Sequence, residues 1–381
     1  MNARDETFRY YNPVQISLGT DIYIDELQKI IGNHGARIGL FYGRSAMKKI
    51  GAVENITSTF GGCEIREYGS ISSNPDIRDV NTALLNSIPK DLDWIIAIGG
   101  GSVIDFGKSL AFLSRQQHTI ESFLEKRVDN PNPGVPVIAI PTTSGTGSEV
   151  TPWATIWDYR KKKKYSLAHE WMFPQYAIID PTLTLGLPPQ ITVSTALDAL
   201  SQAIEAFWSK YANPVSNLFA TQAIHWIMNH LSPLMHDLHN LVLRSILAQA
   251  SLYAGLAFSN TKTTAVHAIS YPMTLHYGVP HGIACSLTLG AFLIFNKDYI
   301  PGQKLASLLE FLGYADVYEL KHELDALVRE IQLPTTLKAA GIPDEGIEVI
   351  LDEGFHPERV TNNPRDLTRR ELRQILEDIY E

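Results

Sequence analysis

The residues that could do chemistry begin with a run of glycines. Gly99, Gly100, Gly101 and Ser102 follow the apolar stretch Trp94 to Ile98 and precede a helical pattern carrying Asp105 and Lys108. Glycines let a backbone come close to a phosphate, and the free amides at a helix start favour its negative charge. The run is not GxGxxG and lacks the lysine of a Walker loop, so a tight packing turn stands beside phosphate binding as a reading. A second small-residue loop, Pro141 to Glu149, follows another short apolar run. Its Thr142, Thr143, Gly145, Thr146 and Ser148 could position a diphosphate, a ribose or a carboxamide, or could close a polar turn through local hydroxyl-to-backbone bonds. Two such loops at strand ends favour one dinucleotide site, because ligands sit at the carboxyl ends of parallel strands.

The elements that must position these loops have a recognisable alternation. Arg37 to Tyr42, Trp94 to Ile98 and Val137 to Ile140 read as short buried strands between helical stretches, the signature of a parallel α/β sheet. Residues 130–134 (NPNPG) read as a turn-rich loop, and Lys161 to Lys164 as a solvated hairpin face. After Asp180 period-two alternation fades. Thr195 to Ser209 is helical, with Ser194 or Thr195 able to cap it. Helical patterns continue through 216–270, 284–295 and 303–333, and the final Leu367 to Tyr380 is another. Two domains are expected: a nucleotide-binding α/β domain over 1–184 and a helical metal-binding and substrate domain over 185–381.

Composition agrees with that class. The 381 residues are 45% hydrophobic and 19% charged, as in globular proteins, and a net charge of -9 argues against a nucleic-acid partner. Two cysteines, Cys63 and Cys285, are too few for a disulfide scaffold or a thiolate zinc cluster and suit a reducing compartment. The polar start and the lack of an apolar run of about 20 residues favour a cytoplasmic protein without a membrane partner.

Taken in order, these segments resemble the motifs of the iron-containing, or group III, alcohol dehydrogenases. GGGSVIDFGK at 99–108 is similar to that family's pyrophosphate loop, PTTSGTGSEV at 141–150 to its nicotinamide-side loop, and SSNPDIRDV at 72–80 to a third cofactor-side segment that brings in Asn74 and Pro75. DALSQAIEAF at 198–207 and HAISYPMTLHYGVPHG at 267–282 resemble its metal-binding helices, and NNPRDLT at 362–368 its late segment. The resemblance spans nearly the whole chain. It implies a Rossmann-like N-terminal domain and a helical C-terminal domain, in the dehydroquinate synthase-like architecture. It also implies a homodimer or higher homo-oligomer.

The same resemblance implies a metal, Fe²⁺ or Zn²⁺, held by Asp198, His267 and His281. The fourth ligand is a histidine in the family and is Gln202 here. Positions 198 and 202 share a helix face, but a glutamine carbonyl is a weaker neutral ligand than imidazole. Tyr271 stands where relatives commonly carry another histidine, and its hydroxyl could orient a substrate oxygen or relay a proton. Thr261 to Pro272 resembles the phosphonoacetaldehyde reductase branch, in which Lys262 and the neighbouring threonines would receive a phosphonate dianion. Gly43 replaces an aspartate of NAD-preferring relatives, and Arg44 and Ser45 follow it, so NADP(H) is expected, with NAD(H) as an option. His276 is a secondary catalytic candidate. The expected reaction is NAD(P)H-dependent reduction of a small aldehyde, with phosphonoacetaldehyde going to 2-hydroxyethylphosphonate. The alternatives are a general metal-dependent primary-alcohol dehydrogenase and a nucleotide-binding homologue that has lost catalysis.

Overall fold

The structure is a computed structural model that describes residues 7–32, 34–86, 91–116, 120–124, 132–161, 163–355 and 360–381. Residues 130 and 131 of the expected turn and Lys162 of the lysine run lie outside the described residues. The chain divides into an α/β unit, Asn12 to Gly186, and a helical unit from Leu187 to the C-terminus. The helical unit also takes the N-terminal segment through Tyr11. That segment departs from the expected division at 184/185. The Tyr10 hydroxyl donates to the carbonyl of Leu256, and the Tyr11 amide to Asn260, so local hydrogen bonds tie it to the helices.

In the α/β unit, β1 (Gln15–Leu18), β2 (His34–Gly43), β3 (Gly62–Ile71), β4 (Trp94–Gly99), β5 (Val137–Pro141) and β8 (Tyr176–Ile179) form one sheet in the order β1-β8-β5-β4-β2-β3. Every pairing in it is parallel. β6 (Trp153–Asp158) and β7 (Lys163–Ala168) make a separate antiparallel pair. Around the sheet lie α1 (Tyr23–Ile31), α2 (Ala46–Lys49), α3 (Ala52–Thr59), α4 (Ile77–Asn86), α5 (Gly101–Leu113) and α6 (Ile120–Leu124).

The inner strands β4, β5 and β8 are apolar without alternation because both their faces are covered, whereas the edge strand β3 mixes charged and apolar residues. Phe41, Ile95, Ala97, Val137 and Ala139 pack into one core with Val80 of α4 and Ile104 and Leu110 of α5. Their neighbours Leu40, Tyr42, Ile96, Ile98, Ile138 and Ile140 pack into another with Leu27 of α1 and Val53 and Ile56 of α3. The chain runs outward from β2 to β3, returns to β4 on the other side of β2, and continues to β5. The strand order therefore reverses between β2 and β4, where an open parallel sheet leaves a crevice at its carboxyl ends.

The helical unit contains α7 (Pro189–Trp208), α8 (Pro214–His236), α9 (Leu241–Thr261), α10 (Ala265–Tyr277), α11 (His281–Asn296), α12 (Gly302–Leu312), α13 (Val317–Glu330), α14 (Gly346–Gly354) and α15 (Arg369–Asp378). α7 is the central rod, packed against α8, α9 and α11. Ala199, Ala203 and Ala206 of α7, Ala223 of α8 and Ala250 and Ala254 of α9 are all buried, and such small residues let packed helix backbones come close. α9 is long and apolar enough, by composition, to cross a bilayer, contrary to the expected lack of such a run. Most of its apolar window is packed inside the unit, as in the core helix of a globular fold.

Candidate nucleotide loops and metal centre

The two glycine- and threonine-rich loops leave adjacent strands. Gly99 of β4 pairs with Pro141 of β5, and the Thr142 amide donates to the Gly99 carbonyl at 3.0 Å. A Cβ on Gly101 would lie 2.5 Å from the Thr146 hydroxyl, so only glycine lets the second loop lie against the start of α5. One residue away, the Ser102 hydroxyl accepts from the Asn74 amide at 3.1 Å, and Asn74 itself holds a left-handed φ of 54°. Gly43, at the end of β2, pairs with Ile71 of β3, with Arg44 and Ser45 exposed beyond it. Gly43 to Ser45, Asn74, Gly99 to Ser102 and the Thr142 to Thr146 loop thus gather at the carboxyl ends of β2 to β5. Backbone amides at the first turn of α5 face that end of the sheet, as an anion site requires.

Two residues expected among the cofactor ligands have other work. The Lys108 ammonium is fully buried and donates to the carbonyls of Ser148 at 2.8 Å, Thr151 at 3.2 Å and Trp153. Asp105 accepts from the Ser148 hydroxyl and, at 2.8 Å, from the Thr155 amide. Lys108 and Asp105 brace the loop from beneath. Burial lowers the Lys108 pKa, against the pull of Asp105.

In the helical unit, Asp198, His267, His281 and Cys285 bring one ligand atom each to within 4.8 Å of one another. α7 supplies Asp198, α10 supplies His267 in its first turn, and α11 supplies His281 and Cys285, four residues apart on one face. His267 Nε2 is 3.1 Å and His281 Nε2 3.8 Å from Asp198 Oδ1. Such an approach needs Gly282. A Cβ there would run into the Ser194 carbonyl and come within 2.8 Å of the Asp198 amide, so α11 meets α7 backbone to backbone at this point.

The imidazoles are held from behind. His267 Nδ1 bonds to Glu205 Oε2, which leaves Nε2 turned toward Asp198. The other Glu205 oxygen accepts from the Thr264 amide at 3.1 Å, the Thr264 hydroxyl at 2.6 Å and the Val266 amide at 2.8 Å, so one buried carboxylate caps α10 and orients its histidine. His281 Nδ1 lies 3.3 Å from the Ser270 hydroxyl, and the Tyr271 ring stacks on the His281 ring at 5.3 Å and 8°. Burial works against a proton on His267, but Cys285, Glu205 and Asp198 outweigh it and hold the imidazolium well above the usual histidine range. The anionic surroundings that attract the proton would attract a cation in its place.

The donor set fits a divalent transition metal: a carboxylate, two imidazoles and a thiol, with backing from Glu205 and Ser270. Gln202, one turn after Asp198 on α7, is 4% exposed, and its side-chain oxygen has no hydrogen-bond partner. A buried carbonyl oxygen left in this way is costly unless a ligand meets it. Glu205 and Cys285 were not among the residues expected from sequence. Both had a helical signal, since Glu205 follows Asp198 by seven positions and Cys285 follows His281 by four.

Residues 13–181 match the model described as iron-containing alcohol dehydrogenase, and residues 192–380 that of the Fe-containing alcohol dehydrogenase family, C-terminal. The 1,3-propanediol dehydrogenase of Citrobacter freundii is 30% identical over 97% of this chain and 96% of its own length. This chain belongs to the iron-containing alcohol dehydrogenase family. It is thus an alcohol dehydrogenase or aldehyde reductase of a family that uses a nicotinamide nucleotide and a metal. The sulfoacetaldehyde reductase of Bilophila wadsworthia is 29% identical, over 85% of this chain and 86% of that one. The solved sulfoacetaldehyde reductase of Bifidobacterium kashiwanohense, in complex with NAD+, superimposes with a TM-score of 0.90 at 31% identity and covers 98% of both chains.

In this iron-containing alcohol dehydrogenase the connection from α9 to α10 is clamped from several sides. Asn362 donates to the carbonyls of Thr261 at 2.8 Å and Thr263 at 3.2 Å, and the Ser209 hydroxyl donates to Thr261 at 2.9 Å. Trp208 donates to the Thr264 hydroxyl at 2.9 Å. Lys262 sits exposed at the crest of this turn with φ 58°, a left-handed conformation that a lysine holds only where its surroundings enforce it. His276, expected as a catalytic candidate, lies in the last turn of α10. Its Nε2 pairs with Glu353 of α14 at 2.7 Å, so it joins two helices and does not reach the cluster around Asp198.

Proposed function

We propose that the chain reduces a small anionic aldehyde to its primary alcohol, with phosphonoacetaldehyde giving 2-hydroxyethylphosphonate. The observation that carries this reading is Lys262: an exposed ammonium on a rigid, strained turn two residues before the Thr264 that Glu205 ties to the metal centre. The turn fixes where the lysine stem leaves the backbone, and a charged donor's bonds to a dianion are stronger than neutral ones. Two relatives named as sulfoacetaldehyde reductases support an anionic substrate class and favour a sulfonate as the second reading.

When bound, a reduced nicotinamide supplies the hydride, and a divalent metal supplies Lewis-acid polarisation of the carbonyl. Asp198, His267 and His281, with Gln202, are the residues that would hold the metal. His281 is the most open of these ligands at 31% side-chain exposure, so the substrate oxygen approaches from its side. We assign the proton transfer to the alkoxide to Tyr271, a reading supported by the stacking of its ring on that of His281. The Gly99 to Ser102 and Thr142 to Ser148 loops bind the nucleotide. Gly43, Arg44 and Ser45 leave room and charge for a 2′-phosphate, which supports NADPH. We infer a cytoplasmic homo-oligomer as the working form.

The test is steady-state reduction of phosphonoacetaldehyde, sulfoacetaldehyde and butyraldehyde by one metal-loaded preparation, with NADPH and with NADH. A kcat/KM highest for the phosphonate supports the proposal. A preference for the sulfonate moves the assignment to that acid, and a preference for butyraldehyde makes this a general alcohol dehydrogenase.

A further inference from the structure

Cys285 has no role in the expected ligand set, yet it stands among the candidate ligands. It is fully buried on α11, one turn after His281, and its sulfur is one of the four atoms that converge within 4.8 Å. That convergence is close enough for one ion to draw the four atoms together. Zinc bonds of roughly 2.0–2.3 Å put neighbouring ligand atoms roughly 3.3–3.8 Å apart. The His281-to-Asp198 separation of 3.8 Å meets that spacing, and the 3.1 Å between His267 and Asp198 is the hydrogen bond that an ion between them would replace. The donor most in question is Gln202, one turn along α7 from Asp198, whose buried oxygen has no hydrogen-bond partner among the described residues and offers only a weak neutral ligand.

We propose that Cys285 is a metal ligand of this chain, its thiolate acting with Asp198, His267 and His281 and compensating for the weak donor at Gln202. The inference rests on the reading that this cluster holds a divalent metal. Asp198 and the Glu205 behind His267 already place two buried carboxylates at a divalent ion, so the thiolate contributes through the strength of its bond and not through charge balance. The thiolate lies on the buried side and His281 on the more open one, so the sulfur does not block the substrate's approach. A soft sulfur donor shifts the preference of the site from Fe²⁺ toward Zn²⁺ and Co²⁺.

The experiment uses cobalt as a spectroscopic probe in a Cys63→Ser background, which leaves Cys285 as the sole thiol of the chain. Metal-free full-length protein is loaded with Co²⁺, and bound metal is counted after dialysis. The expected result is a near-ultraviolet thiolate-to-cobalt charge-transfer band alongside the visible ligand-field bands. Adding Cys285→Ser should abolish the first and keep the second. Visible bands without the charge-transfer band in the Cys63→Ser protein would overturn the proposal and leave the metal reading standing. No retained cobalt or zinc would overturn both. If the double variant fails to fold, the spectrum of Cys63→Ser alone decides.

Discussion

Glu205 and His267 are joined by a hydrogen bond between a carboxylate and Nδ1, with both side chains almost wholly buried and the carboxylate's second oxygen capping the helix that carries the histidine. Through this one contact Glu205 sets the direction of a candidate metal ligand.

Glu205→Gln tests that relationship. Losing the charge weakens the hold on Nδ1 and the cap on α10, and metal affinity should fall by about 10- to 100-fold. Competition with a chromophoric chelator reads it, and an unchanged affinity would mean that His267 is oriented by packing alone.

Gly101→Ala places a methyl against Thr146. The second loop must retreat, and NADPH binding should weaken by at least tenfold, equivalent to about 1.4 kcal/mol or more. Cofactor fluorescence titration measures this, with metal content as the control. Equal NADPH affinity would show that the loop does not cradle the nucleotide.

Lys262→Ala should lower kcat/KM for phosphonoacetaldehyde by about 10- to 100-fold, the value of one charge-assisted bond. Butyraldehyde turnover by the same variant should not change. A parallel loss for both substrates would assign Lys262 to the turn's structure and remove the anion-recognition role.

Tyr271→Phe keeps the ring on His281 and removes only the hydroxyl. With metal retained, kcat should fall by about 10²-fold and the solvent isotope effect on kcat should change, as expected of a proton relay. Full activity would show that water alone protonates the alkoxide.

Glu149 gives a pH dependence. It is 3% exposed, and burial pushes its carboxyl from 4.5 up to about 7. The fold prefers the protonated form, so the contribution is fully present below 4.5 and is lost as pH rises through about 7. The loss is on the order of 3 kcal/mol. Melting curves at several pH values should show the native protein falling in stability across this window and Glu149→Gln falling less. Parallel curves for the two would reject it.

Local order in the chain determined the loops and the helical second half, and the family resemblance of its motifs pointed to three of the cluster residues, Asp198, His267 and His281. Apolar runs, small-residue loops after strands and a four-residue helical repeat are properties of neighbours in sequence, and they survive in any fold that buries them. Lys108 and Asp105 looked like ligands because they follow a glycine run. Only the tertiary structure turned them inward, because β6 and the Ser148 turn present carbonyls, an amide and a hydroxyl that a buried charge must meet. Cys285 and Glu205 joined the site for a similar reason. α7 meets the sequence-distant pair α10 and α11 where Gly282 permits backbone contact between α11 and α7, and that approach decides which side chains share one point in space.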